Sequence, residues 1–211
     1  MYANQYSLGG YYTGLAGWEF SIEGYYKQMR HILEYQDGVS FFGTSTNWEE
    51  KVEMGEGRSL GLEMMVQKTL GKTTGWLAYT LAKTDHRFKD GAISQGKWFP
   101  YKYDRRHTIS LCLNHKFSER IDVGASWIFN TGGCITVPER ETIIIRPEGN
   151  IESAPYISRR NNYRLPASHR LNLGINFNKK TKHGMRTWNI SLYNAYNAMN
   201  PNLVYSKWEQ G

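Results

Sequence analysis

Six histidines, at positions 31, 86, 107, 115, 169 and 183, are the residues of this chain best suited to hold a metal or carry a proton. No two of them have the spacing that would set a pair of ligands on one face, as a zinc site requires. His107 and His169 fall at strand mouths beside Arg106 and Arg170 and read as polar rim residues. Gly55, Gly57 and Gly61 approach a phosphate-binding loop. They precede a strand rather than open a helix, however, and the anion in such a loop depends on the helix N-terminus. There is no G-x-S-x-G nucleophile elbow, and the scattered Asp and Glu form no acid pair. The sequence therefore predicts neither an enzyme nor a metal or cofactor site. Two stretches concentrate rings and guanidinium groups: Trp98, Phe99, Tyr101, Tyr103, Arg105 and Arg106, and then Arg159, Arg160, Tyr163 and Arg164. Aromatic faces suit sugars or flat chelates, and arginines suit anionic groups.

The elements that must position these residues are strands with one apolar face. Leu171, Leu173, Ile175 and Phe177 interleave with Arg170, Asn172, Gly174 and Asn176. Ile121, Val123, Ala125, Trp127 and Phe129 repeat the pattern, as do Trp18, Phe20, Ile22 and Tyr26. A period of two is the mark of a β-strand wet on one side only. Strands are predicted near 5–12, 17–29, 58–69, 74–84, 105–117, 120–131, 168–178 and 185–196, with a ninth beginning near Leu203. Short joints at 13–16, 69–73, 118–119 and 179–184 alternate with long ones at about 36–57, 85–104 and 132–167. Hairpin strands reverse at each joint, so all short joints lie at one end of the sheet and all long ones at the other. In strand 74–84, Trp76 shares a face with Ala78 and Thr80 while Leu77, Tyr79 and Leu81 share the other, which leaves its orientation open.

Such a chain is a sandwich or a barrel. Its 211 residues, 40% of them apolar, suit one domain. The mean hydropathy of -0.61 excludes a helical membrane protein, but a transmembrane barrel needs only every second residue apolar over about ten-residue strands. On the apolar faces, Tyr12, Trp18, Phe117, Phe177 and Trp188 fall at the short-joint ends, and Trp127, Phe129 and Tyr196 toward the long-loop ends. Two aromatic belts mark two membrane interfaces, whereas a sandwich core gives no reason for such banding. The net charge of +7 is scattered through strands and loops, with no basic helix or block, so no nucleic-acid partner is expected. Residues 1–10 lack the basic and apolar regions of a signal peptide. Cys134 would lie roughly 30 Å along the hairpin from the residue facing Cys112, about position 125, too far for a disulfide.

The segments EGYYKQM, GRSLGLEMMVQKTLGKTTGWLAYTLAKT, WFPYKYDRRH, YRLPASHRLNLGINF and YNAYNAMNP occur in order along nearly the whole chain. Together they resemble the barrel of TonB-dependent receptors, most closely the Bacteroidetes kind that often carries a carboxypeptidase-regulatory-like domain. The resemblance implies an all-β, antiparallel transmembrane barrel fragment, eight or nine strands of about 22, the number of the plugged transporters. It also implies a Gram-negative outer-membrane location and active uptake of a scarce ligand such as a ferric chelate, cobalamin or glycan. Residues 1–211 are expected to form a partial barrel without the plug, signal peptide and final strand of a whole receptor.

In that family ligand meets the long extracellular loops, so the resemblance makes the two ring-and-arginine stretches ligand-binding candidates. The same segments, YKYDRRH and YRLP, could instead brace the loop bases through Asp104, Arg105, Arg106 and His107. The implied partners are outer-membrane lipid and lipopolysaccharide, and TonB, ExbB and ExbD acting through a plug. Two other readings stay open on the sequence: a complete small barrel serving as adhesin or anchor, and a soluble β-sandwich binding glycans.

Overall fold

The computed structural model describes residues 1–37, 47–91, 93–145 and 151–201. Its strands are β1 (Tyr2–Tyr12), β2 (Trp18–Tyr35), β3 (Val52–Lys68), β4 (Thr73–Arg87), β5 (Phe99–Pro100), β6 (His107–Lys116), β7 (Ile121–Asn130), β8 (Cys134–Ile135), β9 (Arg140–Ile145), β10 (Ile151–Tyr156), β11 (Tyr163–Arg164), β12 (Ser168–Thr181) and β13 (Gly184–Leu192). Eight of them form one antiparallel path, β1-β2-β3-β4-β6-β7-β12-β13, and β5 adds to the end of β4. Among the described residues β1 and β13 each pair on one side only, so this sheet is open. Tight joints link β1 to β2, β3 to β4, β6 to β7 and β12 to β13 at one end, and the long connections share the other, as expected. At the tight end Gly17 takes a φ of 75°, and the Ser118 hydroxyl accepts from the amides of Arg120 and Ile121 at 3.2 Å each.

Residues directly opposite one another in an antiparallel ladder share a face, so the register assigns every side chain. Leu77, Leu111, Trp127 and Leu171 form one row, and Tyr79, Ile109, Phe129 and His169 the next. Val66 lies opposite Leu77, which places Leu77, Tyr79 and Leu81 on the apolar face and Trp76 on the polar one. There Trp76 stands in a row with Gln67, Cys112, Ser126 and Asn172. The polar face is stitched by amide side chains. Asp122 accepts from the amides of Asn176 and Asn178 at 2.7 Å, and Asn189 donates to Asn176 at 2.7 Å. On that face too, the ring of Tyr25 lies across Gly61, where a Cβ would meet ring carbons at 2.6 Å. Glycine is needed there for the close approach.

Among the described residues the apolar band of the sheet has no cover. Leu8 is 85% exposed, Trp188 66% and Ile190 64%. No second sheet packs on it among the described residues, so the architecture is a single wall rather than a sandwich. The buried apolar cluster is small: Ile32, Phe88, Ile93 and Phe99, with Met29 against it, at the long-loop end. Both cysteines are free, and Cys112 faces Ser126, one residue beyond the expected position.

Several boundaries differ from the sequence reading. β2 continues to Tyr35, β3 begins at Val52 and β4 runs on to Arg87, so this corner of the wall stands taller. β2 passes a bulge between Arg30 and Ile32, with His31 at a φ of 54°. β13 ends at Leu192 rather than 196, because Asn194 and Asn197 take left-handed φ values of 53° and 51° and turn the chain. Four short strands, β8 to β11, occupy the 132–167 connection. The ninth strand expected near Leu203 lies outside the described residues. On this register Leu173→Arg is expected to cost about 2–4 kcal/mol in a bilayer, against about 1 kcal/mol for Asn172→Arg, which gives up the bond from the Asn194 amide. Equal tolerance of both in a barrel-assembly assay would contradict the facing.

Candidate functional site

The long connections meet in one cap, and a buried carboxylate organises it. Asp104 is 3% exposed. Its Oδ1 accepts from the Thr84 amide at 2.7 Å, and its Oδ2 receives Arg164 at 2.5 Å and Arg106 at 3.3 Å. Arg164 also donates to the carbonyls of Asp104 and Gly132. One guanidinium thus ties the 88–106 connection to the 131–167 connection. Backbone bonds complete the seam: Cys134 N donates to Lys102 O at 2.8 Å and Leu165 N to Gly133 O at 2.9 Å. Asn161 Nδ2 adds a bond to Pro100 O at 2.8 Å.

A second tie reaches the top of β2. Arg160 donates to Asp37 Oδ1 at 2.8 Å and to the Tyr35 carbonyl at 2.8 Å, while Asp37 Oδ2 accepts from the Ser94 amide at 2.9 Å. Of the two ties only the first has a buried carboxylate: removing a guanidinium from Asp104 is costly because a buried charge is left without its partner, whereas Asp37 stands exposed.

The aromatic residues divide. Phe99 is 1% exposed and stacks on Phe88 with ring centres 6.0 Å apart. Trp98, the preceding residue, leaves that cluster and lies against two guanidinium groups, 4.3 Å from Arg58 and 4.8 Å from Arg87. Tyr101 stacks on His86 at 4.5 Å and meets Tyr103 edge-on at 5.4 Å. Burial pushes the His86 imidazole down to about 4, with Asp85 pulling weakly the other way. Burial likewise raises the Cys134 thiol, against the opposing charge of Arg164.

A family model described as TonB dependent receptor-like, beta-barrel matches residues 1–198. The chain belongs to the TonB-dependent receptor-like β-barrel family. Its wall is also similar to the crystal structure of the ferripyoverdine receptor of the outer membrane of Pseudomonas aeruginosa bound to ferripyoverdine, with a TM-score of 0.61 at 14% identity. That similarity covers 93% of this chain and 23% of that receptor. No curated protein sequence matches the chain.

Within this receptor-family wall the ten residues singled out in the sequence separate into two groups. Phe99, Arg106, Arg160 and Arg164 build the cap, Tyr101 stacks on His86 within it, and Trp98 lies against Arg58 and Arg87. Tyr103, at 63% exposed, Tyr163, at 44%, and the exposed Arg105 and Arg159 present themselves to solvent. Neither of these two arginines makes an ion pair or side-chain hydrogen bond among the described residues. Asp37, Asn161 and His86 were not legible as cap residues, since their partners lie 57 or more positions away, or stack only once β5 has formed.

The low His86 value has a defined consequence. A histidine that titrates at 6.5 when unfolded and about 4 when buried contributes stability present above about 6.5 and lost as pH falls toward 4. Protease cleavage of the 88–106 connection should therefore rise between about pH 6.5 and pH 4. His86→Phe, which keeps the stack on Tyr101 without a titrating group, should flatten that profile. An unchanged profile in the variant would remove His86 as the cause.

Proposed function

We propose that this chain is a sector of the wall of a larger outer-membrane receptor barrel, and that the cap at its long-loop end helps gather a scarce ligand for active uptake. The observation that carries the reading is the single two-faced sheet, apolar on one side, amide-lined on the other, and, among the described residues, uncovered on its apolar face and unpaired at both edges. In hydrocarbon every backbone donor and acceptor must be met within the protein, so a spanning sheet has to close. Eight strands that do not close on themselves call for further strands between β13 and β1. A closed eight-stranded anchor would need β1 paired with β13.

On this reading the apolar face meets lipid in a Gram-negative outer membrane and the polar face lines the lumen. Energy for uptake would come from TonB, ExbB and ExbD through a plug in that lumen. Tyr103, Arg105, Arg159 and Tyr163 are the contact candidates, because all four are exposed to solvent and the two arginines make no ion pair among the described residues. They suit a flat or glycosidic ligand carrying negative charge, the class that includes ferric chelates and acidic glycans. The test is ligand binding and uptake by the intact receptor. Alanine at these four positions should lower binding at least tenfold (about 1.4 kcal/mol or more) with normal heat-modifiable migration. Arg164→Ala should lower both, since it opens the cap. Full binding by the fourfold variant would place the ligand elsewhere.

A further inference from the structure

Above its apolar band, the uncovered face of β2, β3 and β4 turns cationic. Cross-strand pairing sets Leu60 opposite Lys83, Arg58 opposite Asp85, and Glu56 opposite both Arg87 and Arg30. These side chains therefore continue the face that carries Tyr26, Leu62 and Leu81. Lys83 and Arg58 share Asp85 at 3.3 and 3.2 Å, and Lys89 lies 3.5 Å from Glu56, which also holds Arg87. Arg30 is exposed and makes no ion pair among the described residues. With Asp90 counted, five cations face three carboxylates, an excess of two positive charges.

The extra residue at the β2 bulge brings His31 beside Arg30 rather than to the opposite face. The two line a cleft with Glu56, Arg87, Lys89 and Asp90. Bulges re-aim side chains in this way. Directly below, a second cleft is lined by Leu8, Gly24, Leu60, Leu62, Leu81 and Lys83. Nothing stands within 4 Å of where a Cβ of Gly24 would be, so the row is notched between Leu8 and Leu62. Trp98 lies against Arg58 and Arg87 at this same corner, where amphipathic rings favour the headgroup level, and leaves both guanidinium groups partly exposed.

We propose that this corner of the wall holds a membrane lipid with a phosphorylated headgroup, the phosphates on Arg30, Arg58, Lys83, Arg87 and Lys89 and an acyl chain in the notch at Gly24. The proposal rests on the reading of the apolar face as the membrane side. A cationic cleft stacked on an apolar one matches a single molecule whose anionic head sits above its chains. A free phosphate would use the upper half alone. Arginine and lysine in fixed geometry are the groups that hold phosphate oxygens by charge-assisted hydrogen bonds.

The test is native mass spectrometry of the intact receptor, delipidated in mild detergent. It is titrated with a phosphorylated, multiply acylated glycolipid, the same glycolipid without phosphate, an anionic phospholipid, and inorganic phosphate. The phosphorylated glycolipid or the phospholipid should bind at least tenfold more tightly than the dephosphorylated form. Arg58→Gln/Lys83→Gln/Arg87→Gln/Lys89→Gln should abolish that preference, Arg58→Lys/Arg87→Lys should retain most of it, and Lys179→Gln/Lys182→Gln at the other rim should leave it unchanged. Equal binding of the two glycolipids, or an unaltered preference in the fourfold glutamine variant, would overturn the proposal. So would competition by inorganic phosphate at matching concentration, which would mean a free-anion site. Lipid association without headgroup preference defeats this proposal alone. A chain that takes up no lipid and stays monomeric without detergent defeats the membrane reading beneath it.

Discussion

A strand that crosses hydrocarbon cannot leave a backbone amide or carbonyl unpaired, and it cannot present a polar side chain to the lipid side. These two demands act on the same ten or so residues of each strand and explain most of what is seen in the wall. The ladder from β1 to β13 pairs each inner strand on both sides. The register then sorts Leu77, Leu111, Trp127 and Leu171 to one face and Trp76, Cys112, Ser126 and Asn172 to the other. The polar face needs no apolar packing of its own. Its order comes from amide side chains bonded across strands, such as Asn176 between Asp122 and Asn189. Where packing is tight on that face, as for Tyr25 on Gly61, it is a ring over a bare backbone.

Beyond the band the demands change, and so does the architecture. With water or protein on both sides, strands lose strict alternation, and a buried cluster can form. Ile32, Phe88, Ile93 and Phe99 close one side of the strand tops while Asp104, Arg164 and Arg160 fasten the long connections over them. The cap is therefore held by a few charged and aromatic anchors rather than by a large core. That leaves the side chains of its outer residues, Tyr103, Tyr163, Arg105 and Arg159, exposed to solvent.

This division also explains what the sequence made legible. Alternation around Leu171–Phe177 and Ile121–Phe129 located β12 and β7 because one face must be apolar across the whole band. It left β4 undecided, because Trp76 on the polar face is as apolar as Leu77 on the other. Only the pairing of Leu77 with Val66 and Leu111 settles its orientation. The tops of β2, β3 and β4 were underestimated because Arg30, Glu56 and Arg87 carry no periodic signal once both faces are polar. Arg160 was visible as a cation, but its partner Asp37 is 123 residues away, and no local pattern reports such a bond. The turn at Asn194 and Asn197 was missed because YNAYN looks like a continuing amphipathic strand.

The claim on which everything else stands is that one face of this wall meets lipid and the other a lumen. Single cysteines placed along residues 170–177 of the intact receptor, with Cys112 and Cys134 replaced by serine, would test it directly. Each would carry a fluorophore, read for quenching by brominated lipid and by a water-soluble quencher. Labels at 171, 173, 175 and 177 should be quenched by the lipid, and those at 170, 172, 174 and 176 by the aqueous agent. Quenching that ignores the alternation, or runs in the opposite phase, would contradict the account.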